Sequence, residues 1–328
     1  MTNIPRENKY EMRMGVDAVL GMVFPGQGSQ SIGMLAGLAD AHAIVRATFD
    51  EASAAVGRDL WALAQNGPED ELNRTVNTQP ALLAAGVAVW RAWKGQGGPD
   101  PAVLAGHSLG EFTALVCAGS LDLAEAAALV AERGRFMQEA VPEGAGAMAA
   151  ILGLDDPDVE RICVQACAGQ TVAAANYNAP GQVVIAGDRD AVSRAMELAR
   201  SAGAKRALPL PVSVPSHCAL MRPAADALGR RLASVRFADA KIPVVQNVDA
   251  QARTLAGAMI PALVRQLYQP VRWVEVIRTM KTRGVARIVE CGPGKVLTGL
   301  IKRIERDIEV GSAGDPAGLE AQLQGTGS

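Results

Sequence analysis

Four short segments of the chain carry residue types that could supply a nucleophile, a general base and a charged or polar surrounding for them. Gly106-His107-Ser108-Leu109-Gly110 is a Gly-x-Ser-x-Gly pentapeptide, entered by the apolar run Ala102–Ala105 and left by a helical pattern from Glu111 to Cys117. In a strand–turn–helix setting the serine sits at a sharp turn and the glycines let the chain pass closely. The hydroxyl is then lifted above the sheet edge, and the Leu109 backbone N–H points where an oxyanion would form. The alternative is an ordinary βα turn whose serine caps the helix.

A general base for Ser108 has to come from three histidines. His107 adjoins the serine and cannot easily fold back on it, and His42 lies on a polar-spotted helix. His217 remains by elimination. It stands in Pro215-Ser216-His217-Cys218, with Ser216 expected to cap a helix beginning near Ala219. A helix N-terminus would keep the imidazole neutral and able to take a proton. The alternative is a helix-start residue whose ring nitrogens are satisfied locally.

Arg133 is out of place on its own helix. Its neighbours three and four positions away are Leu129, Val130, Phe136 and Met137, so the guanidinium must find an anion or reach water. It could offer a bidentate fork to a substrate carboxylate, pair with an internal Asp or Glu, or snorkel. Pro25-Gly26-Gln27-Gly28-Ser29-Gln30 follows an apolar strand. Ser31 occupies the place of the third glycine in a dinucleotide fingerprint, so the segment reads as a backbone loop beside a site. Gln27 is its most interesting side chain, unless it simply bonds its own loop.

The elements that must position these residues are those of an α/β protein. The sequence has 328 residues, is 49% hydrophobic and 4% aromatic, and carries a net charge of −2. That size suits one large domain or a domain with an insertion, and the charge calls for neither nucleic acid nor an anionic membrane. Five cysteines, at 117, 163, 167, 218 and 291, lack the spacing of a zinc site and read as free thiols. The apolar run Ala18–Pro25 is too short to span a membrane and lacks a signal-peptide layout, so a cytoplasmic protein is expected.

Strands are expected at Val19–Phe24, 102–105, 242–249 and Arg287–Glu290, with a buried alanine-rich helix from Pro80 to Trp93 and another opened by the capping box Asp122–Glu125. Helices are also expected over Ile260–Tyr268, Val271–Thr282 and Asp315–Ser328. Between about Gly144 and Pro215 the order changes to strand Met148–Leu152, helix Asp155–Ala168, strands Val172–Asn176 and Gln182–Ala186, helix Ala191–Ala202 and strand Arg206–Val212. This βαββαβ order is a ferredoxin-like unit. The expected division is an N-terminal extension over 1–18, a large domain in two parts over 19–143 and 216–313, a small domain over 144–215, and a tail over 314–328. Residues 271–287 carry Arg272, Arg278, Lys281, Arg283 and Arg287 against Glu275 alone, either a basic docking face or a solvated helix.

Six segments also stand in an order that resembles a known family: Phe24-Pro25-Gly26-Gln27-Gly28-Ser29-Gln30, Gly106-His107-Ser108-Leu109-Gly110-Glu111, Arg133-Gly134-Arg135-Phe136-Met137-Gln138, Asn176-Tyr177-Asn178-Ala179-Pro180-Gly181-Gln182, Val214-Pro215-Ser216-His217 and Gln266-Leu267-Tyr268-Gln269-Pro270-Val271. Together they resemble the malonyl-CoA:acyl-carrier-protein transacylases of bacterial type II fatty-acid synthesis, from about residue 21 to 313. The resemblance implies an α/β-hydrolase-like large domain with a ferredoxin-like insertion. It makes Ser108 the nucleophile, His217 its base, Gln27 and the Leu109 N–H the oxyanion hole, and Arg133 the holder of the malonyl carboxylate. The Gln266 main-chain carbonyl would orient the histidine where an aspartate is more usual. Malonyl-CoA and an acyl carrier protein would be the partners, with no cofactor, no metal and a monomeric enzyme. Carriers of this pathway are generally acidic, which is the reason to weigh a basic docking face. A freestanding transferase of polyketide synthesis or malonate decarboxylation would share nearly every motif, a serine esterase only the elbow. A non-catalytic carrier-binding scaffold would keep the fold but has no need of Ser108, His217 and Arg133.

Overall fold

The computed structural model describes residues 18–212 and 214–325. The strands are β1 (Leu20–Phe24), β2 (Val103–Gly106), β3 (Gly146–Leu152), β4 (Val172–Ala179), β5 (Gln182–Asp188), β6 (Arg206–Pro209), β7 (Val244–Val245), β8 (Ala252–Arg253), β9 (Arg287–Glu290) and β10 (Glu309–Ser312). They form a six-stranded sheet of order β10-β9-β1-β2-β7-β8 and a four-stranded sheet of order β4-β5-β3-β6.

In the larger sheet β10, β9, β1, β2 and β7 are parallel, and β8 returns antiparallel to β7. A parallel sheet is covered on both faces, and the period of two divides its side chains between two cores. Met22, Phe24 and Leu104 enter one, with the helices Thr75–Gly95 and Leu123–Ala140; Val23, Val103 and Ala105 enter the other, with the helix Trp273–Thr282. The smaller sheet is antiparallel throughout and packs on the helices Asp156–Ala166 and Arg189–Ser201. Val271 bonds the backbone of β4, its carbonyl accepting from Tyr177 N–H and its own N–H donating to the Ala175 carbonyl, while the next residue, Arg272, donates its N–H to the Asn247 carbonyl beyond β7.

Several boundaries differ from the expected ones. The strand expected over 242–249 is two residues long, because Asn247 N–H turns to the Glu111 carboxylate at 2.9 Å instead of continuing a ladder. The strand expected to reach Val212 ends at Pro209, where Pro209 and Pro211 have no N–H to give. The alanine-rich helix, expected from Pro80, begins at Thr75 with Pro80 inside it; Thr78 Oγ1 bonds the Leu72 and Arg74 carbonyls and secures the added first turn. Asp122 caps its helix at 3.0 Å from Ala124 N, but Glu125 bonds Arg231 at 2.7 Å and leaves the capping box half formed. Strand β10 and the helix Val296–Ile304 were not foreseen. Of the two terminal segments, residues 1–17 and 326–328 lie outside the described residues, and Pro316–Gln324 is helical. No helix among the described residues is long and apolar enough to cross a membrane.

Candidate active site

The carboxyl ends of three neighbouring parallel strands supply the site, the position where open α/β sheets gather loops. The 25–30 loop leaves β1, the Ser108 turn leaves β2, and Gln246-Asn247 leaves β7. A cleft of about 400 Å³ lies above them, lined by Gln27, Ser108, Arg133 and His217 from the larger part and by Asn178 and Val184 from the smaller sheet.

Between β2 and the helix Gly110–Cys117 the chain turns too tightly for side chains at its corners. A Cβ on Gly106 would stand 1.9 Å from the Gly110 carbonyl carbon, and one on Gly110 would stand 2.0 Å from the Phe24 carbonyl oxygen. Ser108 itself has φ 51°, a left-handed conformation that costs a non-glycine residue about 1–3 kcal/mol and persists where neighbours over-determine it. They do so here. Ser108 N–H donates to Asn247 Oδ1 at 2.7 Å, Asn247 Nδ2 donates to the Gly106 carbonyl at 2.7 Å, and Gln266 Nε2 donates to the Ser108 carbonyl at 2.9 Å. Ser108 is therefore held as a turn residue and does not cap the helix.

His217 is buried and also left-handed, at φ 62°. Its Nε2 lies 2.8 Å from Ser108 Oγ and its Nδ1 2.7 Å from the Gln266 carbonyl oxygen. A carbonyl only accepts, so in the neutral ring Nδ1 carries the proton and Nε2 presents a lone pair to the hydroxyl. Burial, then the Arg133 charge, pushes the imidazole down to about 3, with the Gln266 carbonyl pulling the other way. Its neutrality thus arises from desolvation and a neighbouring cation and not from a helix N-terminus. A 3-10 turn, Ala219–Met221, follows it, preceded by Cys218, and Ser216 does not cap it.

Arg133 is 1% exposed. Its Nη1 donates to Gln79 Oε1 at 2.6 Å and its Nη2 to Gln266 Oε1 at 3.0 Å, with Ser108 Oγ 3.4 Å from Nη2. Nε has no partner, and no carboxylate forms an ion pair with this guanidinium among the described residues. Burial lowers its pKa to about 10, against the pull of Glu111, so it is a cation at neutral pH. Of the three sequence readings, snorkelling and an internal ion pair are absent; a charged fork faces the serine with two amide oxygens for support.

Gln27 is exposed at the cleft rim, and the loop is bonded instead by Gln30, whose Oε1 accepts from Gly28 N–H at 2.7 Å. The Leu109 N–H has no protein partner among the described residues. The cations of 271–287 are largely spent elsewhere: Arg272 on Glu275, Arg278 and Lys281 on Glu305, and Arg287 is buried against Gln322 and Glu309. Those pairs fit the solvated-helix reading of that segment. The five cysteines are free, and no group of three or more His, Cys, Asp or Glu among the described residues could hold a metal.

Sequence reasoning missed Glu111, Asn247 and the side chains of Gln79 and Gln266. Glu111 did carry a signal, a lone acid in a helix whose other residues are apolar or small.

A serine and a histidine in contact at the carboxyl edge of a parallel sheet, with a main-chain carbonyl on the far side of the imidazole, form the centre of the cleft in this α/β protein. The chain belongs to the acyl transferase domain family, whose model matches residues 22–314, and it is an acyltransferase. It is 58% identical over 302 residues to the malonyl CoA-acyl carrier protein transacylase of Escherichia coli K12, covering 92% of this chain and 98% of that one. An acyl carrier protein S-malonyltransferase from Vibrio cholerae superposes with a TM-score of 0.91 at 56% identity, covering 93% of this chain and all of the other. A malonyl-transacylase solved in complex with a type II PKS acyl-carrier protein superposes at 0.92 with 55% identity, covering 93% and 99%.

Proposed function

We propose that this enzyme moves the malonyl group of malonyl-CoA to the phosphopantetheine thiol of an acyl carrier protein, through a malonyl ester on Ser108, and so supplies fatty-acid chain elongation. The observation that carries the reading is the uncompensated Arg133 cation 3.4 Å from Ser108 Oγ. An acyl group on that oxygen with a carboxylate one methylene beyond its carbonyl brings an anion to the guanidinium.

In the first half-reaction Ser108 Oγ attacks the thioester carbonyl while His217 Nε2 takes its proton. The tetrahedral oxyanion accepts hydrogen bonds from Gln27 and from the Leu109 N–H. Collapse breaks the C–S bond, and the imidazolium returns its proton to the CoA sulfur. In the second, His217 takes the carrier thiol's proton, sulfur attacks the ester, and Ser108 leaves with that proton. The Gln266 carbonyl holds the imidazole in the required tautomer throughout. An esterase would be expected to set a carboxylate at that place.

The chemistry needs no cofactor or metal, and we read the protein as a monomeric cytoplasmic enzyme. We read the fold as an α/β-hydrolase-like domain over 19–143 and 216–313 with a ferredoxin-like insertion over 144–215. The support is the βαββαβ order and the strand order β4-β5-β3-β6. A carrier of polyketide synthesis is the second reading, favoured by the relative bound to such a carrier. Intact-mass measurement after malonyl-CoA, then a chase with either carrier, tests both: wild type gains one malonyl group and passes it on, and Ser108→Ala gains none. A mass gain persisting in Ser108→Ala overturns the assignment.

A further inference from the structure

Glu111 takes no part in the steps above, yet it is fully buried one turn from the nucleophile. Three N–H groups converge on its carboxylate: Gln246 Nε2 at 3.1 Å, Asn247 N at 2.9 Å and Gln266 Nε2 at 3.0 Å. All three are donors and no acceptor stands among them, so both carboxylate oxygens are placed to accept. The same Gln266 amide turns its oxygen to Arg133 Nη2 at 3.0 Å, and Arg133 only donates. One amide is thus clamped between a group that only accepts and a group that only donates, and a single orientation satisfies both.

We propose that Glu111 is a positioning residue for acyl selection: it fixes the Gln266 amide, through which the Arg133 fork is held toward Ser108 without being neutralised by direct contact. A carboxylate touching Arg133 would occupy the fork that the substrate needs. A carboxylate one amide away supports the cation and leaves its remaining donors open. Two of its three neighbours also tie Glu111 to the elbow: Asn247 holds Ser108 N–H and the Gly106 carbonyl, and Gln266 Nε2 the Ser108 carbonyl. The inference rests on the malonyl-transfer reading.

Glu111→Gln keeps the shape but replaces one acceptor oxygen by an NH₂ group, so at least one of the three donors must turn away. If the Gln266 amide reverses, N–H meets N–H at Arg133. The expected result is a fall of at least about tenfold in the ratio of kcat/KM for malonyl-CoA over acetyl-CoA, carried mainly by a higher KM for malonyl-CoA. Acetyl transfer falls by a smaller factor. A support role confined to folding lowers both substrates together and leaves the ratio alone; that result overturns the proposal.

Gln266→Leu keeps the main-chain carbonyl for His217 and deletes the amide. It should lower the ratio as Glu111→Gln does, and the double variant should lose no more than either alone, because the two act through one amide. Additive losses also overturn it. Should Glu111→Gln fail to fold, Glu111→Asp, an acceptor-only anion one methylene shorter, is the reading: its ratio should fall by a smaller factor, and an unchanged ratio refutes the role. Wild type in the same assay separates the two readings. No malonyl ester on Ser108 sinks the transfer reaction, whereas a malonyl preference that survives every Glu111 variant sinks this inference.

Discussion

Arg133 Nη2 stands 3.4 Å from Ser108 Oγ, and the guanidinium it belongs to is held by amide oxygens of Gln79 and Gln266. Amide oxygens orient a cation without cancelling it, so its charge stays available to an incoming carboxylate in a water-poor site. Removing one partner of such a desolvated pair costs about 2–5 kcal/mol, or roughly 30- to several-thousand-fold. Arg133→Ala should therefore lower kcat/KM for malonyl-CoA by about 10²-fold or more while acetyl-CoA loses far less. Competition between the two thioesters, read by intact mass of the acyl-enzyme, checks it. Selectivity equal to wild type would remove Arg133 from substrate recognition.

The elbow depends on contact distances too short for any side chain. Gly110→Ala would place a methyl 2.0 Å from the Phe24 carbonyl oxygen and 2.9 Å from that of Pro25. Both are backbone atoms at the end of a central strand and cannot swing aside. Overpacking of this kind costs about 1–3 kcal/mol and occasionally more, and the central position argues for the upper end. We expect Gly110→Ala to lower Tm by about 5 °C or more and to lose Ser108 acylation. A variant with wild-type Tm and activity would mean the strand and helix can separate.

The residues that declare themselves in the sequence are those whose local setting contradicts their type or matches a turn. Ser108 stands between two glycines at a strand end, and Arg133 sits in an apolar stripe. His217 followed from the shortage of alternatives, and its partner Gln266 came with the resemblance. What holds them was not legible, because it is assembled over long separations. Glu111 meets Asn247 and Gln266 across 136 and 155 positions. That same contact shortened the strand expected over 242–249, since Asn247 gives its N–H to Glu111 and not to a neighbouring strand. Pattern reasoning sees the apolar run there and has no access to the carboxylate that ends it.

Asn247 offers a test of that concealed support. Its side chain makes both a donor and an acceptor bond at 2.7 Å, to the Gly106 carbonyl and from Ser108 N–H. Asn247→Ala would leave both backbone groups without a partner, at about 1–3 kcal/mol for each buried group. Ser108 would also be freer to leave its left-handed conformation. The expected outcome is a loss of roughly 2–4 kcal/mol in urea unfolding together with a lower kcat for either acyl-CoA. Asn247 Oδ1 meets Gln266 Nε2 only at 3.4 Å but bonds Ser108 N–H at 2.7 Å, so the malonyl-to-acetyl ratio should stay near wild type. A changed ratio would place Asn247 in the selection network instead.

The buried imidazole of His217 makes stability depend on pH in a defined direction. Its folded-state value is pushed from 6.5 down to about 3, so the unfolded chain takes up a proton that the folded chain refuses. The contribution of His217 is full above about pH 6.5 and is lost as pH falls from there toward 3. At about pH 5 the unfolded group lies roughly 1.5 units above ambient, worth about 2 kcal/mol. Burial pushes His107 down as well and adds a loss of the same sign. Glu111 opposes them: burial raises its carboxyl from 4.5 to about 7, so its contribution is lost as pH rises through that window. A single stability profile mixes the three, and a difference between proteins isolates one. The unfolding free energy of wild type minus that of His217→Gln, by urea titration, should shrink by about 2 kcal/mol between about pH 8 and pH 5. A difference constant over that range would mean that His217 accepts a proton in the folded protein as readily as in the unfolded chain, and that Arg133 and burial do not hold it neutral.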